Sequence, residues 1–204
     1  MLNARILSLY WDNIDPRLVA AQKAVWDAMG FPVNQHRIHG IDHGEWIDWN
    51  MGRLTDADVF LFVDIDCIPL SRDRVMEKMQ NAASGVLVGA EGAANHLDST
   101  RSYAGAWYVF INRSRWEAMG KPSARATRQA DVCQSWTDAW RQNNAPVELI
   151  APSHCMQPKW NLPGRALAYG LGTTYGEDCY HLFESRGQHP DLFLDKCRDV
   201  LDAA

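Results

Sequence analysis

From residue 4 the chain alternates apolar runs with amphipathic stretches. "ARILSLYW", Ala4 to Trp11, is β-rich. Asp15 then stands as an N-cap with Pro16 at the first helical position, and Leu18, Ala21, Val25 and Met29 follow at helical spacing until Gly30 closes the helix. "FPVNQHRIHG" predicts a second strand, and the stretch around Glu45 to Gly52 a short helix. "DVFLFVD" is apolar at successive positions, the pattern of a strand covered on both faces. Ser71 caps the next predicted helix, "SRDRVMEKMQNAA", with Leu70 and Val75 spaced as a hydrophobic staple. "GVLVGAEG" and "YAGAWYVFIN" read as two more strands, the second followed by a helical turn at "SRWEAMG". A helix over Gln129 to Asn143 and a strand at "VELIAP" come next. A Gly/Pro-rich stretch from Pro152 to Gly176 reads as loop, and a last helix opens at Pro190.

Strands alternating with helices predict an α/β fold, a mostly parallel sheet flanked by helices. No repeat, low-complexity tract or long linker divides the chain, and its 204 residues suit one catalytic-sized domain over 1–204. In sheets of this kind ligands bind beyond the carboxyl ends of the strands. Asp64 and Asp66 stand at such an end, directly after the most apolar strand.

Composition narrows the classes. Hydrophobic residues at 47% and charged residues at 22% are globular values, which excludes a disordered chain. No apolar run approaches the roughly 18 residues that span a bilayer, so no membrane partner is expected. Arg5 and Tyr10 interrupt the N-terminal apolar patch, which reads as a strand rather than a signal peptide. The five cysteines are odd in number and scattered, without a CxxC pair. That argues against a disulfide framework or zinc ribbon and for a reducing, cytoplasmic setting. Between Arg101 and Arg128 six basic residues face one acidic, Glu117, in a chain of net charge −5. Such a stretch suits a phosphate-bearing ligand or is a solvated face. Of the nine tryptophans most belong to the core, while one or two exposed ones would suit stacking on a sugar.

Buried strands do not end in paired carboxylates unless something stabilises the charge. Two Asp separated by one residue at a strand end point to the same side and share a divalent cation readily. Oxygen ligands of this kind suit Mg²⁺ or Mn²⁺, which accept phosphate oxygens from a substrate and neutralise a diphosphate leaving group. The plain alternative is one Asp capping the turn and the other solvated. The flanking apolar strand, Pro69 and the capped helix favour the metal.

"VFLFVDIDCIPL" resembles the aspartate-any-aspartate metal segment of GT-A fold glycosyltransferases. "YAGAWYVFINRSRW" is similar to the following strand of the glycogenin-like and galactosyltransferase-like retaining families, which lines the sugar and acceptor pocket. The resemblance implies a single-domain GT-A-like (Rossmann-like) fold and a nucleoside-diphosphate sugar donor. It implies Asp64, Asp66 and His181 (in "CYHLFESRG") as ligands of Mn²⁺ or Mg²⁺, with His154 as the alternative third ligand. It places Asp131 and Gln134, in "ADVCQSWTDAW", near the donor sugar as catalytic candidates, and Gly105 and Trp107 at the substrate. Where those families carry an Asn-Ser-Gly-like sequence, this chain has Ala104-Gly105-Ala106. In such a fold Tyr10 or Asp12 would meet the base or ribose, and Lys159 the pyrophosphate from a loop able to exclude water, with Arg165 and Arg186 as alternatives. The acceptor stays open among a small glycan, a protein and hydroxylated bases in nucleic acid.

Other constellations are weaker. His36, His39 and His43 invite a zinc reading, but their spacings across a strand and turn do not converge, and they read as structural or surface residues. GxSxG, Walker and GxGxxG motifs are absent. The main rival is a haloacid-dehalogenase-like phosphatase with Asp64 as nucleophile and Glu177-Asp178 as its downstream acidic pair. Against it, about sixty residues with strand and helix signals precede a motif expected on the first strand. A nucleotidyltransferase and a carbohydrate-binding module complete the set.

Overall fold

Residues 2–186 and 189–203 are described by a computed structural model. Six strands form the main sheet: β1 (Ala4–Tyr10), β2 (Val33–Arg37), β3 (Val59–Asp64), β5 (Leu87–Ala94), β6 (Asp98–Asn112) and β7 (Val147–Ile150). Their order is β2-β1-β3-β6-β5-β7. Pairings are parallel except along β6, which runs antiparallel to both β3 and β5. The mostly parallel, helix-flanked sheet expected from the alternation is present.

The unbroken apolar run of β3 is explained by its position. Val59, Leu61 and Val63 enter one core, and Phe60 and Phe62 enter the core on the other face. The helices start where their caps predict. Asp15 accepts from Arg17 N at 2.8 Å ahead of α1 (Pro16–Ala28), and Ser71 Oγ from Arg74 N at 3.4 Å ahead of α3 (Arg72–Ala83). Asp42 caps α2 (His43–Arg53), and Asn112 caps the short α4 (Arg113–Ala118). The chain ends in α6 (Pro190–Ala203), which packs on α1.

Two expectations change. The stretch 152–176 is a hairpin rather than a loop: β8 (His154–Asn161) and β9 (Ala168–Tyr175) pair antiparallel. With β4 (Cys67–Pro69) and β10 (Cys179–His181) they build a second sheet in the order β4-β10-β9-β8. As its outer strand, β8 exposes most of its side chains, so the apolar alternation that reveals a strand is missing. The helix expected from Gln129 begins only at α5 (Gln134–Gln142). Thr127 Oγ1 holds the amides of Gln129 and Ala130 in a turn, and Cys133 enters the helix at φ 64°.

A buried ion cluster ties the two sheets together. The ammonium of Lys78, on α3, pairs with Glu148 of β7 and lies 3.8 Å from Asp178, which leads into β10. Arg74 pairs with the other Asp178 oxygen at 3.2 Å. Burial pushes the Asp178 carboxyl up, opposed by Lys78 and Arg74. Removing Lys78 takes from Asp178 and Glu148 the cation they share and leaves Asp178 with Arg74 alone, so Lys78→Ala is expected to lower the unfolding free energy by about 3 kcal/mol. Urea denaturation measures it, and a loss under about 0.5 kcal/mol would contradict the role given to this cluster.

Candidate metal centre

β3 ends on Asp64, a two-residue turn carries Asp66, and β4 leaves at Cys67. Gln22 of α1, fully buried, pins that turn by donating to the carbonyls of Asp64 at 2.6 Å and Cys67 at 3.1 Å. β10 pairs antiparallel with β4, His181 opposite Cys67, and Leu182 N donates to Asp66 O at 3.0 Å. These pairings bring His181 Nε2 to 3.0 Å from Asp66 Oδ1 and 3.6 Å from Asp64 Oδ2. One donor atom from each of Asp64, Asp66 and His181 lies within 4.8 Å of the others. His154, the alternative ligand, is exposed on β8 and outside this group.

Burial works to raise the Asp66 carboxyl, but the charge and hydrogen bond of His181, with the Ser185 hydroxyl, more than offset it and hold the group below the usual carboxylate range. Two carboxylates and an imidazole converging at a partly buried point form a donor set that fits Mn²⁺ or Mg²⁺. The far nitrogen of His181, Nδ1, is buried without a partner among the described residues. Metal-binding histidines usually donate that N–H to an outer group that fixes the ring. Here aromatic packing does so: the ring stacks on Trp107 at 5.8 Å and lies 3.7 Å from Phe183, centroid to centroid.

That packing involves two residues expected at the substrate. Trp107 is buried behind His181, and it fits there because Gly92 and Gly105 leave room for its indole. A Cβ on either glycine would come within 2.3 Å of the ring. Gly105 and Trp107 therefore back the imidazole, and neither is among the residues lining the cavity in front of it.

That cavity, of about 430 Å³, is lined by Tyr10, Trp11 and Ile14 after β1, by the Asp64-Asp66-His181 group, and by residues 183–186. Arg186 is its cation. The guanidinium lies 4.3 Å over the Trp11 ring and has no carboxylate partner among the described residues. Lys159, expected at the pyrophosphate, is instead on β8, half-exposed, and paired with Glu184. Arg165 is taken by the buried carboxylate of Glu91 at 2.8 Å. Tyr10 lines both this cavity and an adjoining groove of about 380 Å³, whereas Asp12 lines only the groove. A hydrogen bond from Arg37, at 2.7 Å, and its charge hold the Asp12 carboxyl low.

Asp131 and Gln134 stand together at the start of α5 and do not line the cavity. Asp131 accepts from the Tyr103 hydroxyl at 2.8 Å and from Val132 N at 2.8 Å, and its own amide donates to Gln134 Oε1 at 2.9 Å. Gln134 Nε2 is buried without a partner among the described residues. Burial pushes the Cys133 thiol up, and Asp48, Asp131 and Asp64 all add to it.

Other expectations are revised by placement. Asp178 belongs to the ion cluster, at the opposite end of β10 from His181, so the acidic pair of the phosphatase reading does not join Asp64. Four of the six side chains of the basic stretch are paired: Arg101 with Asp138, Arg113 and Lys121 with Glu117, and Arg125 with Glu45. Of the three early histidines, His36 accepts from the Trp46 indole at 3.0 Å, and burial lowers its pKa. His43 was read as structural or surface, yet it lines the cavity with Nε2 3.6 Å from Asp64 Oδ1. The usable signal was its place as first residue of a capped helix beyond the end of β2. Among the described residues no helix is long and apolar enough to cross a membrane.

Gly105→Ala is expected to push the Trp107 indole toward His181. Overpacking of this kind costs about 1–3 kcal/mol, and it should weaken Mn²⁺ binding as well as lower Tm. Calorimetric Mn²⁺ titration beside thermal melting checks this. Unchanged metal affinity would show that Trp107 does not set the imidazole's position.

No family model matches the chain, and no curated protein does. Solved structures do resemble it. The catalytic domain of Drosophila β1,4-galactosyltransferase 7 in complex with xylobiose has a TM-score of 0.55 at 12% identity, covering 97% of this chain and 80% of that one. A mutant of that enzyme in complex with manganese, UDP-Gal and xylobiose gives 0.54 at 12% identity, over 92% and 76%. The chain has the GT-A-like fold of these sugar-transferring proteins, the fold its Asp-x-Asp segment resembles.

Proposed function

We propose that this chain is a glycosyltransferase that moves a sugar from a nucleoside-diphosphate sugar to an acceptor hydroxyl, with 1–204 acting as one catalytic unit. The observation that carries the reading is the meeting of Asp64, Asp66 and His181 at the strand ends, in a cavity that also holds Arg186 without a carboxylate partner. A divalent cation held by the three side chains, Mn²⁺ or Mg²⁺, supplies Lewis-acid charge for a diphosphate leaving group. The crystallised neighbour with manganese and UDP-Gal supports that class of metal and donor, and the xylobiose complexes support a glycan acceptor.

The chain's own residues divide the remaining work. Arg186 offers two parallel N–H groups to the diphosphate, the geometry in which a guanidinium binds phosphate best. Tyr10, at the junction of cavity and groove, or Asp12, in the groove, meets the base or ribose. Asp131, oriented by Tyr103 and Val132, serves the donor sugar from outside the lining of this cavity, with Gln134 holding its backbone. Residues 183–186 line the cavity and keep water from the reacting sugar. Five free cysteines support a reducing, cytoplasmic setting.

Asp66→Ala is expected to abolish Mn²⁺-dependent release of nucleoside diphosphate, measured by chromatography over a panel of nucleotide sugars. Wild-type turnover in that variant would sink the assignment. Arg186→Ala should raise the donor KM roughly tenfold, the loss of one charge-assisted contact. An unchanged donor KM would remove Arg186 from the diphosphate.

A further inference from the structure

The three residues of the metal centre are not held equally firmly. Asp66 is buried and bonded to His181 at 3.0 Å, and His181 is gripped by Trp107 and Phe183. Asp64 is the loose member. Its side chain is 31% exposed, against 11% for Asp66. Gln22 holds its backbone carbonyl, not its carboxylate, which makes no hydrogen bond among the described residues. The terminal torsion of an Asp side chain is broad, so its own rotamer does not fix which oxygen faces the site.

Two imidazoles flank that carboxylate on opposite oxygens. His181 Nε2 lies 3.6 Å from Oδ2, and His43 Nε2 lies 3.6 Å from Oδ1. His43 is outside the three-residue ligand group. It is also rigidly mounted as the first residue of α2. Asp42 caps that helix by accepting from Gly44 N at 2.9 Å and Glu45 N at 3.2 Å. Gly44 packs so tightly that a Cβ there would meet Arg125 Cα at 2.5 Å. The His43 ring lies 5.9 Å from the buried Trp46, and its side chain is only 20% exposed. This is an imidazole built into the wall of the cavity, not a mobile surface group.

We propose that His43 is a positioning residue of the metal centre: from 3.6 Å its Nε2–H closes to a hydrogen bond on Oδ1 of Asp64 when the site is filled and so turns Oδ2 toward the point shared with Asp66 and His181. The proposal rests on the metal reading above. Groups that orient a metal-binding carboxylate from outside typically contribute roughly 10- to 100-fold to metal affinity. A donor to Oδ1 would act this way while touching neither cation nor sugar.

The test is calorimetric titration of the full chain with Mn²⁺ alone, for wild type, His43→Ala and His43→Gln, beside thermal melting of the chelated proteins. The expected result is a Kd about tenfold higher in His43→Ala, recovery to near wild type in His43→Gln, whose amide still donates, and unchanged melting in chelator. Wild-type affinity in His43→Ala would overturn the proposal while leaving the metal centre standing. Equal weakening in both variants would also overturn it, since the donor would not be what matters. Failure of the wild-type chain to bind Mn²⁺ is a different outcome, one that removes the metal centre and this role with it.

Discussion

Two carboxylates one residue apart, at the end of a strand covered on both faces, repel each other in a setting that screens poorly. The rest of the structure near the site exists around that repulsion. Gln22 reaches from α1 to pin the turn's carbonyls, so the side chains of Asp64 and Asp66 cannot diverge by unwinding the turn. β10 is brought alongside β4, and His181 sets its imidazole against both carboxylates. The imidazole completes a donor set that a divalent cation would fit, and such a cation would offset the repulsion. Without those carboxylates there would be no electrostatic reason to bury a histidine there.

The second sheet takes its meaning from this. The main sheet supplies the carboxylates, but the third donor arrives on a separate antiparallel layer. The position of His181 therefore depends on how the layers are joined. One joint is ionic, through Lys78, Glu148 and Asp178. Another is aromatic, Trp107 of the main sheet packed against Tyr169 and His181 of the second and Phe183 just beyond it. Gly92 and Gly105 permit that stack by leaving the indole its space. Trp107, outside the lining of the cavity, thus reaches the site through the imidazole it supports.

Much of this was legible in the sequence, for stated physical reasons. The β3 run followed by Asp64 and Asp66 announces itself, because an interior strand shows no polar residue until it leaves the sheet. Caps at Asp15 and Ser71 located two helices because a side chain there satisfies free amides. His181 follows from the resemblance rather than from spacing, since Asp66 lies 115 positions earlier in the chain. Strand β8 was hidden because its exposed side chains erase the alternation. The packing of Trp107 behind His181, in the space Gly105 leaves, needed coordinates, because sequence does not show which ring meets which. His43 and Arg186 needed coordinates for the same reason: one reaches Asp64 from another element, and the other is singled out only once Lys159 and Arg165 are seen to be paired.

The most direct test of the central claim is a crystal structure grown with Mn²⁺ and a nucleoside diphosphate, with anomalous scattering used to locate the ion. The account predicts a single strong anomalous peak within coordinating distance of Asp64, Asp66 and His181, with the diphosphate on its open side and facing Arg186. A peak elsewhere, or a nucleotide bound with its phosphates turned away from these carboxylates, would contradict it.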